Sequence, residues 1–148
     1  MTEQTVVSSS REIAAPAAVI FELVADPAQQ PRWDGNDNLA HADDAQRVRA
    51  AGETFRTTLT NGGVRENRVV EFTEGRAIAW TPSEPGSAPP GHLWRWELSP
   101  LDDGRTLVVH TYDWTRLTDP GRLVRARATT ADRLAASLDG LARVAESE

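Results

Sequence analysis

The chain has 148 residues, no cysteine, sixteen arginines and no lysine, and its formal net charge is −6. The length predicts a single domain over residues 1–148, and the lack of cysteine excludes disulfides, thiolate metal sites and a cysteine nucleophile. The lack of lysine excludes Schiff-base chemistry and a P-loop, and the acidic balance argues against a nucleic-acid partner, which favours a basic face.

The N-terminal residues Met-Thr-Glu-Gln-Thr-Val-Val have neither the basic nor the apolar region of a signal peptide. The apolar runs of the chain are only a few residues long, whereas a transmembrane helix needs roughly 20 apolar residues. We therefore expect a cytoplasmic protein with no integral membrane association.

The first predicted elements are a strand over residues 6–13 and a helix that begins near Pro16. Proline suits the first turn of a helix, where its missing N–H is not needed. Ile20, Leu23 and Val24 give this helix one apolar stripe, and Asp26-Pro27 ends it. A second short helical turn is expected over residues 28–33, interrupted by Pro31.

The middle of the chain predicts strands separated by turn signals. The strands are expected at 39–48, 53–60, 64–72, 76–81, 92–99 and 106–114. Asn61-Gly62-Gly63 and Asp102-Asp103-Gly104 predict two hairpin turns. Residues 82–91, which hold four prolines, predict a long semi-rigid loop that serves either as a lid over a site or as a simple connector.

The chain ends in a predicted amphipathic helix that opens at Asp119-Pro120 and runs from Leu123 to about Ala145. Steps of about 100° place one stripe inward. The stripe contains Leu123, Arg127, Thr130, Leu134, Leu138, Leu141 and Ala145. Its C-terminal half is apolar core, whereas Arg127 and Thr130 predict either a polar cavity wall or an arginine that extends outward to water.

The predicted order is a strand, two short helices, six strands and a terminal helix. This order is typical of an α+β architecture, with seven antiparallel strands and the helices grouped on one side of the sheet.

Several segments, taken together, carry a family resemblance. They are Ile13-Ala14-Ala15-Pro16, Ala25-Asp26-Pro27, Pro31-Arg32-Trp33, residues 94–100 and residues 104–108. In this order they resemble the START-like (SRPBCC, helix-grip, Bet v 1-like) superfamily, and the whole chain is similar to its bacterial polyketide cyclase/dehydrase and lipid-transport branch. The resemblance implies a curved sheet wrapped around the C-terminal helix, with a cavity between them for lipids, sterols, polyketides or other apolar molecules.

Alternation along the strands predicts which side chains face this cavity. His92, Trp94, Trp96 and Leu98 share one face, opposite the charged Arg95 and Glu97. Similar alternation favours inward positions for Ile78 and Trp80 and for Asn67 and Val69, whereas both faces of 106–114 are partly apolar. We take His110 and Tyr112 as facing inward. The predicted ligand-binding residues are then Asn67, Trp80, His92, Trp94, Trp96, Tyr112, Arg127 and Thr130. Tryptophans stack on flat molecules, although large aromatic residues are more often plain core.

Other site chemistries lack their motifs. The oxygen-rich residues 33–38 do not fit a calcium-binding EF-hand loop, because the position that requires glycine is Leu39, so we expect a turn stabilised by its own Asp and Asn side chains. His41, His92 and His110 lack metal-ligand spacing, and no nucleotide-binding or hydrolase motif is present, so we expect no metal and no cofactor.

Two main hypotheses follow. The first is a module that binds a small hydrophobic or amphipathic ligand, with His92, Tyr112 and Arg127 at its polar end. The second is a cyclase or dehydratase in the same cavity, with acid–base catalysis by His92, His110, Tyr112 or Asp113. A protein-interaction module like the chaperone-binding branch is a lesser alternative, since it would need an apolar patch on the outer face of the sheet.

Overall fold

The computed structural model describes residues 3–42 and 46–148. Within them, seven strands form one antiparallel sheet in the order β1-β7-β6-β5-β4-β3-β2, and this confirms the predicted α+β class. The strands are β1 (Val6–Ile13), β2 (Leu39–His41), β3 (Thr54–Leu59), β4 (Val64–Thr73), β5 (Ala77–Ser83), β6 (Leu93–Pro100) and β7 (Thr106–Asp113). The helices are α1 (Ala17–Ala25), α2 (Gln30–Trp33), α3 (Pro120–Ala128) and α4 (Ala131–Ser147), with 3₁₀ turns at Pro27–Gln29 and Asp102–Gly104.

The two faces of the sheet differ in polarity. On β7, Val108, His110 and Tyr112 are buried and alternate with half-exposed residues, so this face is the inner one. The outer face carries cross-strand ion pairs, among them Arg95 with Glu71 at 2.8 Å. Because charged pairs occupy the outer face, the helices cover only the inner one.

The hydrophobic core fills one end of the space between sheet and helices. The C-terminal half of α4 contributes Leu138 and Leu141, which pack with Phe21 of α1 and with Leu98 and Val108 of the sheet. The N-terminal half of α4 lies beside the other end, where the inner sheet face is lined by larger and more polar residues. The core half of the terminal helix is therefore placed as the sequence predicted.

The prediction of one continuous terminal helix is wrong. α3 ends at Ala128 and α4 begins at Ala131, because Thr129 and Thr130 adopt extended backbone angles. Both residues are β-branched, which disfavours helix, and the Thr129 hydroxyl donates to the carbonyl of Arg125 at 3.0 Å. This break changes which residues of the two helices face inward.

Two other predicted boundaries also move. The strand expected over residues 39–48 is only β2, since residues 43–45 lie outside the described part of the chain and 46–49 are not a strand. The loop expected over 82–91 begins two residues later, because Pro82 and Ser83 are buried at the end of β5. Pro31 does not interrupt α2, since it lies in the first turn, where a proline lacks no bond.

Arg47 fastens the segment after β2 to the rest of the domain. Its guanidinium binds Glu22 of α1 at 2.9 Å and Glu74 of the β4–β5 turn at 2.8 Å, with the arginine side chain only 14% exposed. We expect Arg47→Gln to lower the free energy of unfolding by about 2 kcal/mol, because it removes the charge-assisted hydrogen bonds of a largely buried guanidinium.

Urea unfolding checks this expectation. The matched control is Arg11→Gln, which removes an ion pair to Asp139 whose side chains are 41% and 66% exposed. Such exposed pairs contribute about 0.5 kcal/mol or less. Equal losses in the two variants would contradict the special role of Arg47.

Candidate functional site

A cavity of about 370 Å³ lies between the inner face of the sheet and the helices α3 and α4. Strands β3 to β7 form its floor, and the turn at residues 34–39 closes one side. Its exposed lining residues, Asn38, Arg125, Ala128 and Arg133, mark the mouth of the cavity. The volume falls within the range of about 300–1,000 Å³ that is typical of small-molecule sites.

Aromatic rings on three neighbouring strands form the floor. Trp96 faces His110 across β6 and β7, with ring centroids 3.6 Å apart and planes at 14°. Trp94 faces Tyr112 in the same way, with centroids 4.3 Å apart and planes at 30°. Trp80 of β5 is the cross-strand neighbour of Trp94. Because cross-strand partners on one face lie side by side, the alternation of these strands produces a continuous aromatic surface.

Two buried polar atoms beside the cavity have no hydrogen-bond partner among the described residues. They are Nε1 of Trp96, a residue only 2% exposed, and Nδ1 of His92. By contrast, Trp33 Nε1 donates to the carbonyl of Leu23 at 2.8 Å, so this tryptophan is held by the fold. An unsatisfied buried polar atom costs stability, and both atoms belong to side chains that line the cavity.

Other polar side chains of the floor are already satisfied. Asn67 Nδ2 donates to the carbonyl of Phe55 and to Thr57 Oγ1, each at 3.2 Å. His110 Nδ1 lies 3.0 Å from the carbonyl oxygen of Arg95. Because a carbonyl can only accept, Nδ1 of His110 carries the proton and Nε2 is the acceptor of the neutral ring.

Burial keeps the titratable groups of the floor uncharged. It lowers the pKa of His110 from 6.5 to about 4, against the opposing effect of the bond to the Arg95 carbonyl. Burial lowers the pKa of His92 to about 4 as well, helped by the charges of nearby arginines. Burial raises the pKa of Tyr112 to about 12. At neutral pH both imidazoles are therefore neutral and the phenol is protonated.

The charge of the cavity comes from its rim. The charged lining residues are four arginines and one aspartate, namely Arg65, Arg122, Arg125, Arg133 and Asp34. With both histidines neutral, the lining carries a net charge of +3, whereas the whole chain carries −6. The site therefore concentrates positive charge in an acidic protein.

The turn at residues 34–39 is fixed by its own side chains, as the sequence predicted. Asp34 Oδ2 accepts from the backbone N–H of Asn38 at 2.6 Å and of Leu39 at 3.1 Å. Asn36 Nδ2 donates to the carbonyl of Arg133 and to Ser137 Oγ, which ties the turn to α4. Among the described residues, no group of three or more His, Cys, Asp or Glu side chains is arranged to hold a metal ion.

The structure brings together six of the eight predicted ligand-binding residues. The residues that line the cavity are Asn67, Trp80, His92, Trp94, Trp96 and Tyr112. Arg127 and Thr130 do not, which corrects the predicted inward stripe. Arg127 is 51% exposed and pairs with Glu3 at 2.6 Å, and Thr130 is exposed before α4, because the helix break turns both residues away.

Of the four residues predicted as candidates for acid–base catalysis, some line the cavity and some do not. His92, His110 and Tyr112 line the cavity, whereas Asp113 does not. Asp113 follows Tyr112 on β7 and so lies on the opposite face, where its carboxylate accepts from the backbone N–H of Thr115 at 2.9 Å.

Four lining arginines were missed at the sequence level. Arg65 shares its strand face with Asn67, so alternation alone would have found it. Arg122 and Arg125 were missed because they face the cavity only when the terminal helix is broken, and Arg133 was missed because it lies beside the predicted stripe, just before Leu134. Arg122 also joins the loop after β5 to α3, through an ion pair with Glu84 at 3.6 Å.

Comparison with known proteins adds a family and a fold. A family model described as polyketide cyclase / dehydrase and lipid transport matches residues 4–146. The chain is 32% identical over 111 residues to Rv0088, an uncharacterized protein of Mycobacterium tuberculosis, and the match covers 73% of this chain and 47% of that protein. The chain thus spans about half the length of the curated relatives that it matches.

Solved structures share the fold at low identity. Protein NE0264 from Nitrosomonas europaea matches with a TM-score of 0.73 and 15% identity over 99% of this chain and 97% of that chain. Protein MLL2253 from Mesorhizobium loti matches with a TM-score of 0.70 and 16% identity over 96% and 97%. In the described part of the chain, no helix combines the length and apolar character that crossing a membrane requires.

Proposed function

The chain belongs to the polyketide cyclase / dehydrase and lipid transport family, as its sequence resemblance predicted, and on this premise we propose that it binds a small, flat, apolar or amphipathic molecule. The observation that carries the proposal is the open cavity of about 370 Å³ with its aromatic floor. Trp94 and Trp96 do not fill the space between sheet and helices. A flat ring system would lie against the part of the floor that Trp94 and Trp80 leave accessible, since tryptophan binds flat apolar groups well.

Unpartnered polar atoms support the same proposal. The N–H of Trp96 and Nδ1 of His92 have no partner among the described residues, and a bound carbonyl or hydroxyl group would supply one. A protein that served only as a packed scaffold would gain stability by satisfying or replacing these groups. Both side chains line the cavity, as a ligand site would require.

The alternative of acid–base catalysis has less support. An efficient general acid or base has a pKa near the working pH. His92 and His110 both have a pKa of about 4, so at neutral pH they are unprotonated and only weakly basic. His110 is also stacked against Trp96 and Trp94, which leaves only the edge of its ring for a ligand. These features suit binding better than proton transfer.

The alternative of a protein-interaction module also has less support. Arg95 on the outer sheet face pairs with Glu71 and Glu97, and Arg56 pairs with Glu66. This surface is charged, whereas a docking site for a protein is marked by a contiguous apolar patch.

A substitution at the mouth tests the proposed cavity. We expect Ala128→Trp to weaken binding of the uncharged fluorescent probe N-phenyl-1-naphthylamine by about tenfold or more, ~1.4 kcal/mol, because the indole obstructs the mouth. Ala128 is an exposed lining residue at the end of α3, so the larger side chain is not forced into the core. Titration of the probe measures the change.

The control is Val124→Trp, one turn earlier on the same helix. Val124 is 67% exposed and does not line the cavity, so probe affinity should stay at the wild-type value. Equal affinities in all three proteins would place the probe elsewhere and contradict the proposal.

A further inference from the structure

One end of the cavity holds an arginine cluster, which consists of Arg65 of β4 with Arg122 and Arg125 of α3. Although they come from distant parts of the chain, their charges act on the same neighbour. All three lower the pKa of His92, and Arg122 and Arg125 also lower the pKa of Arg65. Because all three arginines line the same cavity and the charges of Arg122 and Arg125 act on Arg65, the cluster places like charges near one another.

The fold does not compensate the charge of Arg65. Within the described chain this arginine has no ion pair, and its side chain donates only to the carbonyl of Val64, at 3.1 Å. Burial and the charges of Arg122 and Arg125 lower its pKa, and Glu84 opposes this shift. A half-buried cation without an acidic partner lowers the stability of the folded protein. The needs of the fold therefore do not explain why an arginine occupies this position.

The acidic groups nearby only partly balance the cluster. Arg122 is 3.6 Å from Glu84 and 3.5 Å from Asp119, both of them long contacts to carboxylates that are more than half exposed. No carboxylate in the described chain pairs with Arg65 or Arg125. The cluster thus keeps a net positive charge and several free N–H donors beside the aromatic floor.

Resting on the proposed function, we infer that the ligand is an amphipathic acid. Its flat apolar body lies on the tryptophan floor, and its anionic group binds between Arg65, Arg122 and Arg125. Guanidinium groups bind carboxylate, sulfonate or phosphate oxygens through charge-assisted and often bidentate hydrogen bonds. A bound anion would replace the missing partner of Arg65 and relieve the repulsion within the cluster.

Two probes with one skeleton separate the charge from the apolar body. The compounds are 8-anilinonaphthalene-1-sulfonate and N-phenyl-1-naphthylamine, which has the same rings without the sulfonate. We expect the wild-type protein to bind the sulfonate at least about tenfold more tightly at low salt, because charge-assisted bonds add to the stacking. Added salt should reduce this advantage and leave the neutral probe unaffected.

Variants locate the effect at the cluster. Arg65→Gln should lower the affinity for the sulfonate about tenfold and leave that for the neutral probe unchanged, and it should fold, because the charge it removes is unpaired. Arg127→Gln is the matched control, since this arginine lies on α3 outside the cavity and pairs with Glu3. Loss of sulfonate affinity in the control, or none in Arg65→Gln, would overturn the inference.

The remaining outcomes separate a failure of the inferred acidic ligand from a failure of ligand binding itself. If both probes bind equally and only Ala128→Trp weakens them, the cavity binds ligands but the inferred acid is wrong. If neither probe binds, the proposed function fails together with the inference. Inorganic phosphate should displace the sulfonate only weakly, because it lacks an apolar body. Displacement by phosphate at the concentration of the probe would show that an anion alone is the ligand. It would overturn the inference that the ligand also has an apolar body.

Discussion

Replacing Gly140 by alanine is expected to lower the free energy of unfolding by about 3 kcal/mol, although alanine is normally the better helix former by about 1 kcal/mol. Gly140 lies within α4, where the backbone of α2 crosses it. A Cβ at this position would clash with the carbonyl oxygen of Trp33. Trp33 cannot move away freely, because its indole N–H donates to Leu23 and its ring contacts Trp96.

The comparison is with Gly121→Ala on α3. There the atom nearest to a new Cβ is Asp119 Oδ2 at 3.9 Å, an ordinary contact. Gly121→Ala should therefore raise the free energy of unfolding by about 0.5 kcal/mol, through the lower entropy of the unfolded chain. Urea unfolding of both variants measures the difference, and a stabilised Gly140→Ala protein would show that α2 and α4 do not pack this closely.

Gly140 also illustrates what a sequence pattern contains and what it omits. A glycine inside a predicted helix signals that something approaches the helix closely, but not which segment does so. The partner, Trp33, is more than a hundred positions away in the chain. Contacts of this kind arise from tertiary packing, which local patterns do not encode.

The sheet was more predictable than the helices. Alternation with a period of two favoured the inner faces of β4, β5 and β6, because one face must be buried and the other must meet water. This rule placed Trp80, Trp94 and Trp96 on the cavity floor without any knowledge of strand order, whereas β7 stayed ambiguous because both of its faces are partly apolar. The same rule applies to Arg65, which shares a strand face with Asn67.

The side-chain directions of the terminal helix were less predictable, because an interruption of the helix changes the direction of every residue counted across it. A face drawn at 100° per residue holds only while the helix is continuous. The break at Thr129 and Thr130 resets the orientation, so Arg127 turns outward and Arg122 turns inward. Two adjacent threonines disfavour helix only weakly, and packing decides whether the helix continues. The part of the arginine cluster that lies on α3 therefore depended on a helix break that the pattern did not reveal.

Acidification is expected to destabilise the protein through its buried histidines. The pKa of His110 is about 4 in the folded protein and about 6.5 when exposed. Below pH 6.5 the unfolded chain therefore binds a proton that the folded protein does not, so stability falls as the pH falls. The slope is about 1.4 kcal/mol per pH unit, and the loss approaches about 3 kcal/mol near pH 4. Above pH 6.5 this contribution is fully retained.

His92 adds a smaller loss of the same sign, because it is partly exposed and solvent weakens the burial effect. Urea unfolding between about pH 6.5 and pH 5 measures the combined slope before most carboxylates titrate. His110→Gln should flatten that slope by more than half, even if it lowers stability at every pH. A variant with the wild-type slope would mean that His110 takes up its proton in the folded state. The ring would then not be buried in its neutral form between Trp94 and Trp96.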